Sequence, residues 1–182
     1  MRNSMNMRNN GLKSLLAASV ALVFLAAISV SVGHAQSAQS PAFSSAELTN
    51  LPTDGWITNG GNIYNQRYSP LTQINGDNVA DLKGVWRARL NGSGIGAKYS
   101  GEATPIVYNG VIYIITGADD VFAISVDTGE MLWTYEANLD QTISSICCGW
   151  ASRGLGMGDG KIFVGQLDGK LLALDQRNGE IV

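Results

Sequence analysis

Histidine is almost missing: the chain has 182 residues and one histidine, His34. Beyond that position a Ser-His-Asp triad, a Cys-His pair and a His-containing metal site are excluded. Cysteine occurs twice, as the adjacent pair Cys147-Cys148, and no cysteine stands near residue 35 to carry a lipid. Proline is scarce, with 4 residues against 22 glycines. That balance points to a turn-rich fold and away from collagen-like or proline-rich chains. Charged residues are 15% and hydrophobic residues 45%, which excludes a wholly disordered chain. A helical 3.6-residue apolar period is absent after residue 35, so the material there is not a helix bundle.

The first 35 residues hold Arg2, Arg8 and Lys13 and no acid. An apolar run from Leu15 to Val32 follows, then Gly33-His34-Ala35, with small residues at both recognition positions of a signal peptidase. This order reads as a secretory signal peptide over 1–35, with a retained membrane anchor as the other reading of an 18-residue run. With Ala35 as the last residue removed, 9 basic and 15 acidic residues remain, a net charge of −6. That charge argues against a nucleic-acid partner. After cleavage no apolar segment of membrane-spanning length is left. Residues 36–53, rich in Ser, Ala and Gln, read as a flexible lead-in, and ordered structure is expected from Asp54-Gly55-Trp56.

Residues 75–83 suggest one short helix capped by Asn75 or Asp77. From Val85 on, short apolar runs alternate with turn formers. Ile106–Tyr108, Val111–Ile115, Val121–Ile124, Lys161–Val164 and Leu171–Leu174 are strand candidates. Asn109-Gly110 and Asp159-Gly160 are tight-hairpin dipeptides. Asp119-Asp120 and Asp168 lack calcium-loop spacing and read as turn residues. The Gly154, Gly156, Gly158, Gly160 series lacks the Ser or Thr that a nucleotide loop needs after Lys161, so it reads as strand and turn.

An internal repeat is the most informative feature. Asn109–Leu132 aligns without gaps on Asp159–Val182: Gly110 on Gly160, Ile112 on Ile162, Ala123 on Ala173, Gly129 on Gly179, Glu130 on Glu180. A period of about 40–50 residues with roughly four short strands is the pattern of β-propeller blades. The fold expected is therefore all-β and propeller-type, with the first two to three blades present. Propellers close with four or more, so the sequence reads as a truncated piece.

The end of the first repeat, Ala123-Ile-Ser-Val-Asp-Thr-Gly-Glu-Met-Leu-Trp133, resembles the tryptophan-docking repeat of quinoprotein alcohol dehydrogenases, which use pyrroloquinoline quinone (PQQ). Ser125 stands where that family has Asp, and Asp175 restores it in the second copy. Asp54-Gly-Trp56, Gly60-Gly61, Arg67-Tyr-Ser-Pro-Leu71, Gln73-Ile-Asn75, Asn78-Val79 and Leu82-x-x-x-Trp86 resemble, in order and spacing, the start of the mature enzymes. The resemblance covers residues 54–182, the N-terminal blades of a propeller that has eight in the intact family.

The resemblance carries over to four residues. Adjacent Cys147 and Cys148 are able either to stay thiols or, in an oxidising compartment, to close an eight-membered ring. In the family such a ring lies against one face of PQQ. Arg153 matches an arginine that reaches the reactive carbonyl oxygens, and Glu102 matches a glutamate that bonds a polar edge of the cofactor. Read without the family, Arg153 is a surface arginine and Glu102 an exposed carboxylate ahead of a strand. The segment Gly149–Ser152 between cysteines and arginine differs from that of many relatives, which leaves the substrate open.

What the resemblance implies for the intact protein is a periplasmic dehydrogenase oxidising a small primary alcohol to an aldehyde. It would use PQQ with calcium or a lanthanide and pass electrons to a c-type cytochrome. The catalytic aspartate and the metal ligands are expected beyond residue 182, so the 182-residue chain alone is expected to be inactive. A non-catalytic propeller scaffold of the cell envelope is the alternative. Such a scaffold has no need of adjacent cysteines followed by an arginine.

Overall fold

The computed structural model describes residues 38–182 apart from Ala97 and Ser145. All of these lie in the unit Ala35–Val182, and the signal peptide expected over 1–35 lies outside the described residues.

Two antiparallel sheets follow one another along the chain. The first runs β1 (Ile106–Tyr108), β2 (Val111–Ile115), β3 (Val121–Ser125), β4 (Met131–Tyr135), neighbours in sequence being neighbours in space. The second runs β5 (Gly156–Gly158), β6 (Lys161–Gly165), β7 (Leu171–Asp175). A single bridge, Leu174 to Ile181, stands where β4 begins in the first sheet, at Ile124 opposite Met131. The repeat seen in the sequence is preserved bond for bond. Tyr113 pairs with Ala123 as Phe163 pairs with Ala173, and Ile106 with Tyr113 as Gly156 with Phe163.

The turns explain why these segments are hairpins. Asn109 and Gly110 have φ of 46° and 75°, and Asp159 and Gly160 have 51° and 68°. Positive φ at both central residues matches the right-handed twist of the flanking strands, and Asn or Asp followed by Gly adopts it at least strain.

Between the sheets lies the core. Val111, Tyr113, Ile115, Val121 and Ala123 point from the first sheet onto Ile162, Val164 and Leu174 of the second, all buried. Alternate residues of one strand thus serve one seam. Trp133 on β4 closes that seam. Its ring lies so close over Gly179 that a Cβ there would sit 2.5–3.0 Å from ring atoms, and its Nε1 donates to the Gln176 carbonyl at 3.1 Å. Trp86 repeats the arrangement one step earlier, over Gly129 at 2.5–2.8 Å, with Nε1 donating to the Val126 carbonyl at 2.7 Å.

Three sequence expectations change. Residues 40–49, within the supposed flexible lead-in, are ordered. Ser44 caps helix α1 (Ser45–Thr49) in a reciprocal capping box with Glu47. Ser40 and Pro41 accept from the Gly160 and Asp159 N–H groups of the β5–β6 turn, while the Ser40 N–H donates to the Gln176 side chain. Those partners are over a hundred residues away, so local composition cannot reveal them. The helix expected at 75–83 shrinks to a 3-10 turn, Val79–Asp81. Asn75 and Asn78 bond neighbouring backbone instead, which competes with helix continuation. Strands β4 and β5 escape the sequence reading because a tryptophan–threonine pair and a Gly-Met-Gly run carry little apolar alternation.

Candidate functional site

The stretches leading into β1 and β5 occupy equivalent places in the two repeats, and they run side by side. Ser100 N–H donates to the Trp150 carbonyl at 3.0 Å, Trp150 N–H to the Lys98 carbonyl at 3.0 Å, and Thr104 N–H to the Arg153 carbonyl at 3.2 Å. Beneath them Gly117 admits no side chain, since a Cβ would lie 2.6 Å from the carbonyl oxygens of both Ser100 and Trp150. Trp150 is buried among Ala118, Leu139 and Tyr99, and its Nε1 donates to the Ile143 carbonyl at 3.1 Å. Lys98 donates to the Gln141 carbonyl and places its ammonium 5.5 Å from the Trp150 ring centre. This packing fixes the backbone on both sides of the expected site.

On that base the structure brings Glu102 and Arg153 together. Glu102 Oε2 is 3.3 Å from Arg153 Nη2, and Glu102 Oε1 accepts from the Ser100 hydroxyl at 2.9 Å. The Arg153 side chain is 81% exposed, so its planar fork faces outward with donors available to an anion. Cys147 and Cys148 are exposed free thiols, hydrogen-bonded to each other with sulfurs 2.8 Å apart. The turn that presents them is bent by positive φ at Cys148 (68°) and Gly149 (90°). The Cys148 thiol is held above its usual pKa, first by the hydrogen bond with Cys147, then by burial and the negative charge of Glu102.

These residues suit an anionic, planar, hydrogen-bond-accepting ligand: an exposed guanidinium, a carboxylate beside it and an exposed pair of sulfurs, all on tightly packed backbone. Among the described residues no group of three or more His, Cys, Asp or Glu is placed to hold a metal. A cleft of about 420 Å³ lies elsewhere, lined by Phe43, Glu47, Asp54 and Tyr108, and shares no residue with the site.

Sequence reasoning missed the supports. Gly117 aligns with Leu167, so the repeat gives it no signal. Asp119 and Asp120 are turn residues, as read, but both are about 1% exposed. Asp120 accepts from the Ser93 hydroxyl at 2.6 Å and from the N–H groups of Gly94 and Ala137. Asp119, at φ 63°, reaches across to accept from the Leu167 N–H at 2.7 Å. Burial pushes its carboxyl up to about 6, against that hydrogen bond, and the charges of Asp168 and Asp120 add to the rise.

Comparison with known proteins places the chain. The family model for the PQQ-dependent glucose/ethanol/alcohol dehydrogenase β-propeller domain matches residues 56–182. The dehydrogenase subunit of the quinone alcohol dehydrogenase of Gluconobacter oxydans (strain 621H) is 37% identical over 171 residues, 93% of this chain and 22% of that protein. The 1-butanol dehydrogenase (cytochrome c) of Thauera butanivorans is 41% identical over 129 residues, 70% of this chain and 18% of that protein. The crystal structure of quinohemoprotein alcohol dehydrogenase from Comamonas testosteroni superposes with a TM-score of 0.68 at 36% identity, covering 75% of this chain and 20% of that one. The two sheets thus match part of a propeller, the chain spans about a fifth of the length of these relatives, and it belongs to the PQQ-dependent alcohol dehydrogenase family.

Proposed function

We propose that the chain supplies the first blades of a periplasmic quinoprotein that oxidises a small primary alcohol to its aldehyde and delivers electrons to a c-type cytochrome. The observation that carries this reading is the Glu102–Arg153 pair at 3.3 Å, set beside the exposed sulfurs of Cys147 and Cys148 on backbone that Gly117 holds in place. PQQ, when bound, supplies the two-electron acceptor. Arg153 would donate hydrogen bonds to its carbonyl oxygens, where negative charge grows on reduction. Glu102 orients that guanidinium and accepts from a polar edge. Cys147 and Cys148, oxidised to a ring in an oxidising compartment, would offer a stiff flat face for a planar ligand. The residues that hold calcium or a lanthanide, and the base that takes the alcohol proton, would belong to further parts of the intact enzyme.

Quinone binding tests the reading directly. Titrating PQQ into the chain and following tryptophan fluorescence should give saturable quenching. Arg153→Ala should weaken it about tenfold, the scale of a lost charge-assisted hydrogen bond of ~1.5 kcal/mol. Equal binding by the wild type and Arg153→Ala would overturn the assignment. Intact mass under non-reducing conditions reads the second part: the oxidised ring lowers the mass by two hydrogens, and two alkylatable thiols after air oxidation would remove the pedestal.

A further inference from the structure

The turn that carries the cysteine pair is held at both ends by one residue. Lys98 accepts the Trp150 N–H on its carbonyl at 3.0 Å, just past Cys148. Its ammonium donates to the Gln141 carbonyl, ahead of Cys147. The Trp150 ring keeps the ammonium there: its centre lies 5.5 Å away, and its electron-rich face attracts a cation. Trp150 is 4% exposed and donates from Nε1 to the Ile143 carbonyl at 3.1 Å, so that ring is itself fixed. Gln141 sits in a tight turn, where its Nε2 donates to the Leu139 carbonyl at 2.9 Å and the Ile143 N–H donates to the Asp140 carbonyl at 3.1 Å. The cysteines lack such anchors. With the other described residues, Cys147, Cys148 and Gly149 make no backbone hydrogen bond. A φ of 68° at Cys148, a residue with a Cβ, persists only where the surroundings hold it. Here the hold comes from the ends of the segment, and Lys98 bonds both.

We propose that Lys98 positions the Cys147–Cys148 pair: by holding Gln141 and Trp150 it keeps the turn in the bent form from which the two sulfurs join. The inference deepens the reading of the pair as an oxidisable face for a planar ligand, and rests on it. Ring closure is a two-electron exchange with a small-molecule disulfide. One cysteine thiolate attacks that disulfide, forms a mixed disulfide and releases one thiol. The other cysteine thiolate attacks the mixed disulfide, forms the protein S–S bond and releases the second thiol. The two cysteine protons end on the two released thiols; the cysteines are oxidised and the small disulfide is reduced. The equilibrium constant of this exchange is the effective concentration of one cysteine at the other. A turn already bent for closure loses less conformational freedom when the bond forms, so its effective concentration is higher. Lys98 acts through the backbone at either end of the turn, and is a positioning residue in that sense.

The test equilibrates the full chain with reduced and oxidised glutathione in graded ratios, alkylates the open thiols and reads the intact mass. Lys98→Met keeps the apolar stem and loses the donor. It should lower the effective concentration about tenfold, the worth of one charge-assisted hydrogen bond. Lys98→Arg again donates to a carbonyl and stacks on Trp150, and should return to within about threefold of the wild type. Amide hydrogen exchange is read on the same samples. The Ile143 N–H, bonded to the Asp140 carbonyl, should lose protection in Lys98→Met while the β2–β3 ladder keeps its own. Loss of that ladder together with the turn would make Lys98 a general structural residue and overturn the proposal. Equal effective concentrations for the wild type and Lys98→Met would overturn the positioning role and leave the oxidisable pair standing. A wild type that forms no ring at any ratio would overturn both.

Discussion

The two repeats share a backbone and differ in what covers them. The turn Thr116–Asp120 and the turn Gln166–Lys170 close with the same hydrogen bonds, Asp119 to Thr116 and Gly169 to Gln166. In the first copy a buried aspartate occupies the positive-φ position; in the second a glycine does, at φ 85°. The difference follows from neighbours. The first turn is overlain by the second, so a carboxylate there can cross the seam to the Leu167 N–H, whereas Asp168 in the second turn pairs with Lys170 at the surface. A repeat therefore fixes the strands, and position within the stack decides which side chains become buried, charged or functional.

Removing Trp133 should strike this relation hardest. Trp133→Ala is expected to cost about 3 kcal/mol, the low end of the range for a fully buried aromatic because Trp133 is half-buried, whereas Trp86→Ala, on an irregular segment that makes no backbone hydrogen bond among the described residues, should cost less than half as much. Urea denaturation of both variants measures the gap, and equal losses would mean that the two tryptophans are not alike in load.

Acid titration sharpens the comparison next. Asp119 holds its proton in the fold up to about pH 6, while the ordinary value is 3.8. A raised acid pKa means that the folded state binds the proton more tightly, so Asp119's effect on stability is most favourable below pH 4. It worsens as pH climbs through 4 to 6 and is level above. The full swing is at most about 3 kcal/mol. Asp119→Asn should flatten the curve in that window. Asp168, whose carboxyl is held below its usual value chiefly by the Lys170 hydrogen bond, has the opposite sign: its contribution is present above pH 4 and fades as pH falls further.

Glycines give a finer cut. Gly179→Ala places a methyl group 2.5 Å from the Trp133 ring at φ 74°, while Gly110→Ala meets nothing within 4 Å at φ 75°. The backbone penalty is shared, about 1 kcal/mol, so any excess at Gly179, expected to be another 1–3 kcal/mol, isolates the seam contact. Equal destabilisation in thermal melts would remove the close approach as an explanation.

The smallest effect concerns Ser125 and Asp175. Arg177 donates to Asp175 through its backbone N–H and its guanidinium, which holds that carboxyl down to about 2. The position equivalent to Arg177 in the first copy is Asp127, so a carboxylate at 125 would meet a like charge. Ser125→Asp should therefore destabilise by a few tenths of a kcal/mol, and the double variant Ser125→Asp/Asp127→Arg should regain it.

Strands β1, β2, β3, β6 and β7 and the two hairpin turns were legible because β-branched runs and Asn-Gly or Asp-Gly turns are local signals. Gly110 and Gly160 announced their own turns. The four candidate site residues were singled out only through resemblance, and nothing in the residue types of Glu102 or Arg153 says that two strand approaches will run side by side. The anchoring of Ser40 on Gln176, the burial of Asp119 and the wedge at Gly117 all depend on chains remote in sequence, where periodicity is silent.

Gly117 has a last consequence. Two carbonyl oxygens from successive repeats converge where it lacks a side chain, so the candidate site is referenced to a hard stop and not to its own side chains. Even a methyl group at 117 would prise the two approaches apart and shift Glu102 and Arg153 relative to each other. Arg153 itself, pointing outward, tolerates exchange without such a shift. A saturation scan across these positions would then divide mechanical residues from chemical ones by a simple mark: intolerance of any volume at 117, and intolerance only of lost charge at 153.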